Sequence, residues 1–98
     1  MKPTNFRTYE MAVELFGRCS LVKTKSHIKN QLERASLSVV LNIAEGSGKP
    51  SSREQKRFYG IALGSLRETQ AILDLLEYRS SDGIADQLGA CLYSLIHK

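Results

Sequence analysis

Apolar residues recur along this chain at the spacing of a helix face, and no stretch sustains the alternation of a strand. In a first segment, from about residue 8 to 23, Phe6, Tyr9, Val13 and Phe16 fall at +3, +4 and +3. Ala12, Leu15, Cys19 and Val22 run beside them, so the two rows make one broad apolar face. Thr8 or Asn5 is expected to cap its start, because a short side-chain oxygen can accept an orphan N–H of the first turn. Lys23-Thr24-Lys25-Ser26 breaks the pattern, with Ser26 the expected cap of a second helix over 27–45. Its stripe is Ile28, Leu32, Ala35, Val39 and Ile43. Leu37, Val40, Leu41 and Ala44 add apolar positions around the rest of its surface, so burial on most sides is expected. Gly46, Gly48 and Pro50 end it, since glycine accepts a left-handed C-terminal turn and proline cannot continue a helix.

Ser51-Ser52-Arg53-Glu54-Gln55 offers two overlapping capping boxes, Ser51 with Glu54 and Ser52 with Gln55. The third helix is predicted over 52–79, with Phe58, Ala62, Leu66, Leu73 and Leu76 among its apolar positions. Gly60 and Gly64 share one of its faces at a cost of about 1 kcal/mol each relative to alanine, which predicts a neighbouring backbone close by. After Arg79-Ser80-Ser81-Asp82-Gly83, Ile84, Leu88, Cys91 and Leu95 mark a fourth helix over 84–97. Short connections make consecutive helices antiparallel neighbours, so the predicted fold is all-α, an up-down-up-down four-helix bundle forming a single domain over 1–98.

Ninety-eight residues leave no room for a second domain, and 42% apolar with 24% charged residues is ordinary for a soluble globular chain. No apolar run nears the roughly 18–20 residues of a membrane span, and the N-terminal sequence lacks the apolar core of a signal peptide, so a cytoplasmic protein with no membrane association is expected. Cys19 and Cys91 form no C-x-x-C pair and lie on apolar stripes, which reads as buried reduced thiols rather than a zinc site. His27 and His97 are read as surface residues. No glycine-rich phosphate loop, nucleophile–base pair or metal triad is present, so neither an enzyme nor a cofactor is expected.

Within the second helix Gln31, Arg34, Ser38, Asn42 and Glu45 recur at +3, +4, +4 and +3, a polar stripe inside an otherwise apolar helix. Ser65 and Glu68 stand one turn apart on the third helix. Three readings fit: a solvated face, a hydrogen-bonded network holding the second helix to a neighbouring helix or subunit, or a ligand site. Glu45 with Glu68 also has the form of an acid–base carboxylate pair, although no nucleophile accompanies it.

The segment Gln31–Gly46, containing Asn42-Ile43-Ala44-Glu45-Gly46, and the segment Arg57–Glu68, containing Ala62-x-Gly64-Ser65-Leu66-x-Glu68, carry a resemblance. Their order and spacing resemble the signature of the bacterial 23S rRNA-intervening sequence proteins, over about residues 6–78. Val40 and Leu41 fill a stretch where members often have a proline, and Lys23–His27 replaces a longer turn with a Phe-Pro. That family is similar to the accessory variability determinant of diversity-generating retroelements, a basic pentamer that binds nucleic acid and a reverse transcriptase. The resemblance implies a four-helix bundle, a homopentamer, and RNA or DNA binding.

Lys and Arg number 14 against 10 Asp and Glu, a net charge of +4, and the whole surplus lies in the first half of the chain. In an up-down bundle the turn between the second and third helices shares an end with the start of the first helix and the close of the fourth. That end would gather Lys2, Arg7, Lys49, Arg53, Lys56, Arg57 and Lys98. Cations in the first turns of a helix oppose its dipole, so Arg53, Lys56 and Arg57 call for another use. Backbone phosphates fit, and Lys49, Arg53, Lys56 and Arg57 are the expected contacts, repeated around the axis of a homo-oligomer. Arg34, Ser38, Asn42, Glu45, Ser65 and Glu68 are the expected structural or interface polar network. The rival expectation is a protein-interaction scaffold that docks a protein such as a reverse transcriptase without touching nucleic acid.

Overall fold

A computed structural model of the chain describes residues 3–98, with side chains from Asn5 onward. Four helices follow in order: α1 (Pro3–Ser20), α2 (Ser26–Ser47), α3 (Ser52–Leu75) and α4 (Ile84–Ile96). Each packs on its neighbours in sequence, and α4 closes the ring against α1. At one end the start of α1, the close of α2, the start of α3 and the close of α4 meet. Asn5 Nδ2 donates to Tyr59 Oη at 3.1 Å, Ser47 Oγ lies 3.3 Å from the same oxygen, and Lys56 Nζ donates to the Lys98 carbonyl at 2.8 Å. At the other end Arg18 of α1 grips Asp82, just before α4. The alternation is therefore up-down-up-down, as the short loops require.

The core is the set of stripes folded against one another. Leu32, Val39 and Ile43 of α2, Ala62 and Leu66 of α3, and Leu88 and Leu92 of α4 are sealed from solvent against Ala12, Leu15 and Cys19 of α1. Burying a leucine or isoleucine side chain is worth about 1.5–3 kcal/mol, so this layer supplies the drive for assembly.

Several local expectations are corrected. Ala12, Leu15, Cys19 and Val22 are buried in the core, while of the other row Tyr9 and Phe16 pack half-buried against it and Phe6 and Val13 are 51% and 43% exposed. Neither Asn5 nor Thr8 stands at the start of α1, which begins at Pro3, and both polar residues lie within the helix on its buried side. Ser26 is the first residue of α2 and makes no side-chain cap there. Instead, Lys29 Nζ reaches back to the carbonyls of Ser20 and Val22 at 2.7 and 2.6 Å, placing a cation on the orphan carbonyls at the close of α1. Gly48 ends α2 with right-handed φ −89°, not a left-handed turn. Glycines 60 and 64 have no neighbour within 4 Å of where a Cβ would stand, so no backbone among the described residues packs against them as expected. Leu37 and Leu41 are 40% and 57% exposed, so α2 keeps one apolar face uncovered within the chain. Cys91 is half-buried rather than buried.

α3 starts as its capping box predicts, with Ser51 Oγ accepting the Glu54 N–H at 3.2 Å. The second box does not form, and Gln55 Nε2 instead donates to the Lys49 carbonyl across the turn at 3.0 Å. α3 closes at Leu75, earlier than the apolar pattern suggests. The Tyr78 N–H returns to Leu73 O and the Glu77 N–H to Asp74 O, with Glu77 left-handed at φ 55°. That is a Schellman closure, with glutamate where glycine is usual.

Candidate functional site

The four cations singled out in the sequence do share one end of the bundle, across the α2–α3 turn and the first turns of α3. They are not equivalent. Lys49 Nζ lies 3.1 Å from Glu45 Oε2 and 5.1 Å from the centre of the Phe58 ring. The Arg57 guanidinium sits 5.2 Å from that same ring, so Phe58 is flanked by two cations held over its π system. Lys56 is tied to the Lys98 carbonyl. Arg53 and Arg57 are exposed and lie in no ion pair among the described residues. Glu54 is the acidic residue of the first turn. The Ser52 and Arg53 N–H groups have no acceptor within the helix and add partial positive charge to this end. Lys2 lies outside the described residues.

The register of this end is set by Tyr59, which is 2% exposed. Its ring lies against Gly46: a Cβ there would stand 2.9 Å from Tyr59 Cε1 and 3.1 Å from Phe58 Cβ. The glycine read as a helix terminator is thus an internal α2 position that lets the α3 aromatic pair approach. The Tyr59 hydroxyl accepts from Asn5 and meets Ser47, fastening α1 and α2 to the start of α3. Tyr59 was missed because it sits one residue from Phe58, and spacing alone does not tell which of two adjacent aromatics turns inward.

The polar stripe of α2 lies along its seam with α3. Arg34 Nη2 donates to Glu68 Oε2 at 2.8 Å and to Gln31 Oε1 at 2.9 Å. The Ser38 and Ser65 hydroxyls are 2.7 Å apart, and Asn42 Nδ2 donates to Ser38 O and Oγ at 2.8 and 3.1 Å. These residues are exposed or half-buried, so the network is a hydrogen-bonded lacing of two helices at the surface. Glu45 does not join Glu68. It pairs with Lys49 beyond the other end of the stripe, so the two carboxylates share no site.

Elsewhere, a hollow of about 610 Å³ opens at the far end, where α4, at 13 residues, is shorter than α3, at 24. Its wall mixes Arg18, Arg67 and Arg79 with Asp74 and Asp86, so it selects no ligand charge. Burial pushes the Cys19 thiol above its ordinary range, the neutral state of an inert core cysteine. No cluster of metal-ligating side chains occurs among the described residues, and no described helix is long and apolar enough to cross a membrane.

The model of the 23S rRNA-intervening sequence protein family matches residues 6–89. The chain belongs to that family. The match runs past residue 78, where the sequence resemblance weakens, and takes in the first half of α4. Within this family member, the Asn-Ile-Ala-Glu-Gly string therefore spans the C-terminal part of α2, with Ile43 in the core, Asn42 in the seam and Gly46 against Tyr59. No curated protein and no solved structure matches the chain.

Proposed function

We propose that this family member is a non-enzymatic, homo-oligomeric bundle that binds RNA or DNA through backbone phosphates at the end where α3 begins. The observation that carries the reading is the placement of Arg53 and Arg57, exposed and outside any ion pair among the described residues, at a helix start where their charge opposes the dipole. Such cations cost the helix stability, and a phosphate between them and the first-turn N–H groups would reverse that cost. The uncovered Leu37 and Leu41 of α2, with Ile61 of α3 at 43% exposure, support self-association beside this end. Repetition of a weak site in one assembly raises its effective affinity, so +4 per chain suffices.

The test is fluorescence anisotropy with labelled RNA and DNA across a salt series, on the natural protein and on a variant with Lys49, Arg53, Lys56 and Arg57 all replaced by alanine. A steep fall of log K with log salt is expected, with the slope made shallower by the loss of these cations, at about 0.7–0.9 per phosphate contact. Among the single changes, Arg53→Ala and Arg57→Ala should weaken binding more than Lys49→Ala, whose charge is already shared with Glu45. Unchanged affinity in the fourfold variant sinks the site. No binding to either nucleic acid at low salt sinks the function and turns attention to protein partners.

A further inference from the structure

Beside the cations lies an aromatic pair that phosphate binding does not use. The rings of Tyr93 and His97 are stacked with centres 3.9 Å apart and planes 21° from parallel. Tyr93 is 56% exposed, and His97 is exposed as well. His97 Nδ1 also lies 2.9 Å from the Tyr93 carbonyl oxygen, which pins its ring in place. An exposed aromatic face costs hydration free energy, and here two are held in one stack with outer faces turned to solvent.

The register ties this stack to the basic end. Asp86, Gly89, Tyr93 and His97 recur at +3, +4 and +4 and therefore share one flank of α4. That flank faces α3: Gln70 Nε2 donates to Asp86 at 3.1 Å, and Gly89 packs against Leu66 and Arg67. On α3 the matching row is Lys56, Gly60, Leu63 and Arg67, and Lys56 closes the seam by reaching the Lys98 carbonyl, one residue from His97. Tyr93 and His97 thus lie along a seam with Lys56 at one end and Arg67 further along it. Gly60 leaves this surface bare of side chain, with nothing within 4 Å of its absent Cβ. No Asp or Glu occurs in α3 between Gln55 and Arg67 or in α4 after Asp86, and Asp86 itself lies at the Arg67 end of the seam, away from Lys56.

We infer that the α3–α4 seam is a stacking platform for the unpaired bases of single-stranded nucleic acid, with Tyr93 and His97 receiving a base while Lys56 and Arg67 take the flanking phosphates. It rests on the phosphate reading above and names its ligand class. Every base presents a π face, so stacking is tolerant of sequence, but a duplex hides those faces within its own stack. A pre-stacked pair loses little rotamer freedom on binding, which favours this use over a flexible aromatic.

The experiment compares a labelled oligouridine and an oligothymidine with an abasic strand of equal length, and with a duplex. Each is titrated against the natural protein, Tyr93→Ser and Tyr93→Phe. The expected result is affinity for the base-bearing strands about ten-fold above that for the abasic strand. Tyr93→Ser should lose that advantage, with abasic affinity unchanged, and Tyr93→Phe should keep it. Circular dichroism confirms that the serine variant is folded. Equal, salt-dependent binding of base-bearing and abasic strands overturns the platform and leaves the phosphate site standing, as does a preference for the duplex. Failure to bind any strand overturns both readings. The oligouridine-to-oligothymidine ratio distinguishes RNA from DNA as the source.

Discussion

At the scale of single residues, the end of the bundle where α3 begins depends on one missing methyl group. Gly46 lies against Tyr59, and a Cβ added there would overlap the ring edge at 2.9 Å, with Phe58 Cβ also close at 3.1 Å. Neither neighbour gives way easily, since the Tyr59 hydroxyl is anchored by Asn5 and Phe58 Cβ is fixed to the α3 backbone. Gly46→Ala is therefore expected to destabilise the fold by about 1–3 kcal/mol, by overpacking, despite alanine's better helix propensity. Urea denaturation would measure it, and a stability equal to or above that of the natural protein would contradict the account. The glycine itself was legible in the sequence, but its purpose was not. A glycine near a proline reads as an ending, and only the packed partner shows that it is a seat.

At the scale of helices, the periodic patterns located all four elements, while their ends were decided by contacts with other elements. Lys29 closes α1 from α2, and Asp82 opens α4 while holding α1. Asp82 takes both Arg18 guanidinium nitrogens, at 2.9 and 2.6 Å, and this pairing, helped by the Ile84 N–H, holds its carboxyl well below the usual carboxylate range against a smaller opposing effect of burial. A depressed folded-state pKa gives stability that is present above the unfolded value and is lost as pH falls through the folded one. Asp82→Asn should therefore lower the melting temperature at neutral pH. The gap between variant and natural protein should begin to close below about pH 4. Both partners are partly exposed, so added salt should narrow the gap too. A gap that stays constant from neutral to strongly acidic pH would exclude the ion pair as its cause. None of this was legible locally, because residues 18 and 82 meet only after the bundle closes.

At the scale of the whole molecule, exposed cations stand at both ends of the bundle and exposed apolar side chains along one side. The bundle measures 40 × 25 × 18 Å, its long axis close to the roughly 36 Å of a 24-residue helix, so its two ends are separate surfaces. One carries Arg53 and Arg57 at a helix start, while at the other Arg18 and Lys29 are committed to structure and Lys23, Lys25 and Arg79 are exposed in the loops, outside any ion pair among the described residues. Along the side, Leu37, Leu41 and Ile61 are left uncovered next to the Ser38–Ser65 lacing. If copies of the chain assemble on that face, light scattering will report a multiple of 10.9 kDa, and Leu41→Glu will reduce it toward the single-chain mass with helicity retained. A natural protein that scatters as a single chain at high concentration would remove self-association from the proposal.

What the sequence determined by itself is what local periodicity and short range can encode. The count of helices, the core stripes of α2 and α4, the capping box at Ser51 and the up-down order all follow from spacing, polarity and loop length, and the family strings at 42–46 and 62–68 are contiguous runs. Tertiary structure alone decided which residues of two neighbouring stripes on α1 turned inward, and that Tyr59 rather than Phe58 was buried. It also decided that Glu45 and Glu68 bond to different partners, and that Tyr93 and His97 stand over the same seam as Lys56. The physical reason is the same in each case. A helix presents residues on every side of its axis, and which side becomes interior depends on partners tens of residues away. Those partners' positions are fixed only when all four helices compete for the same buried volume.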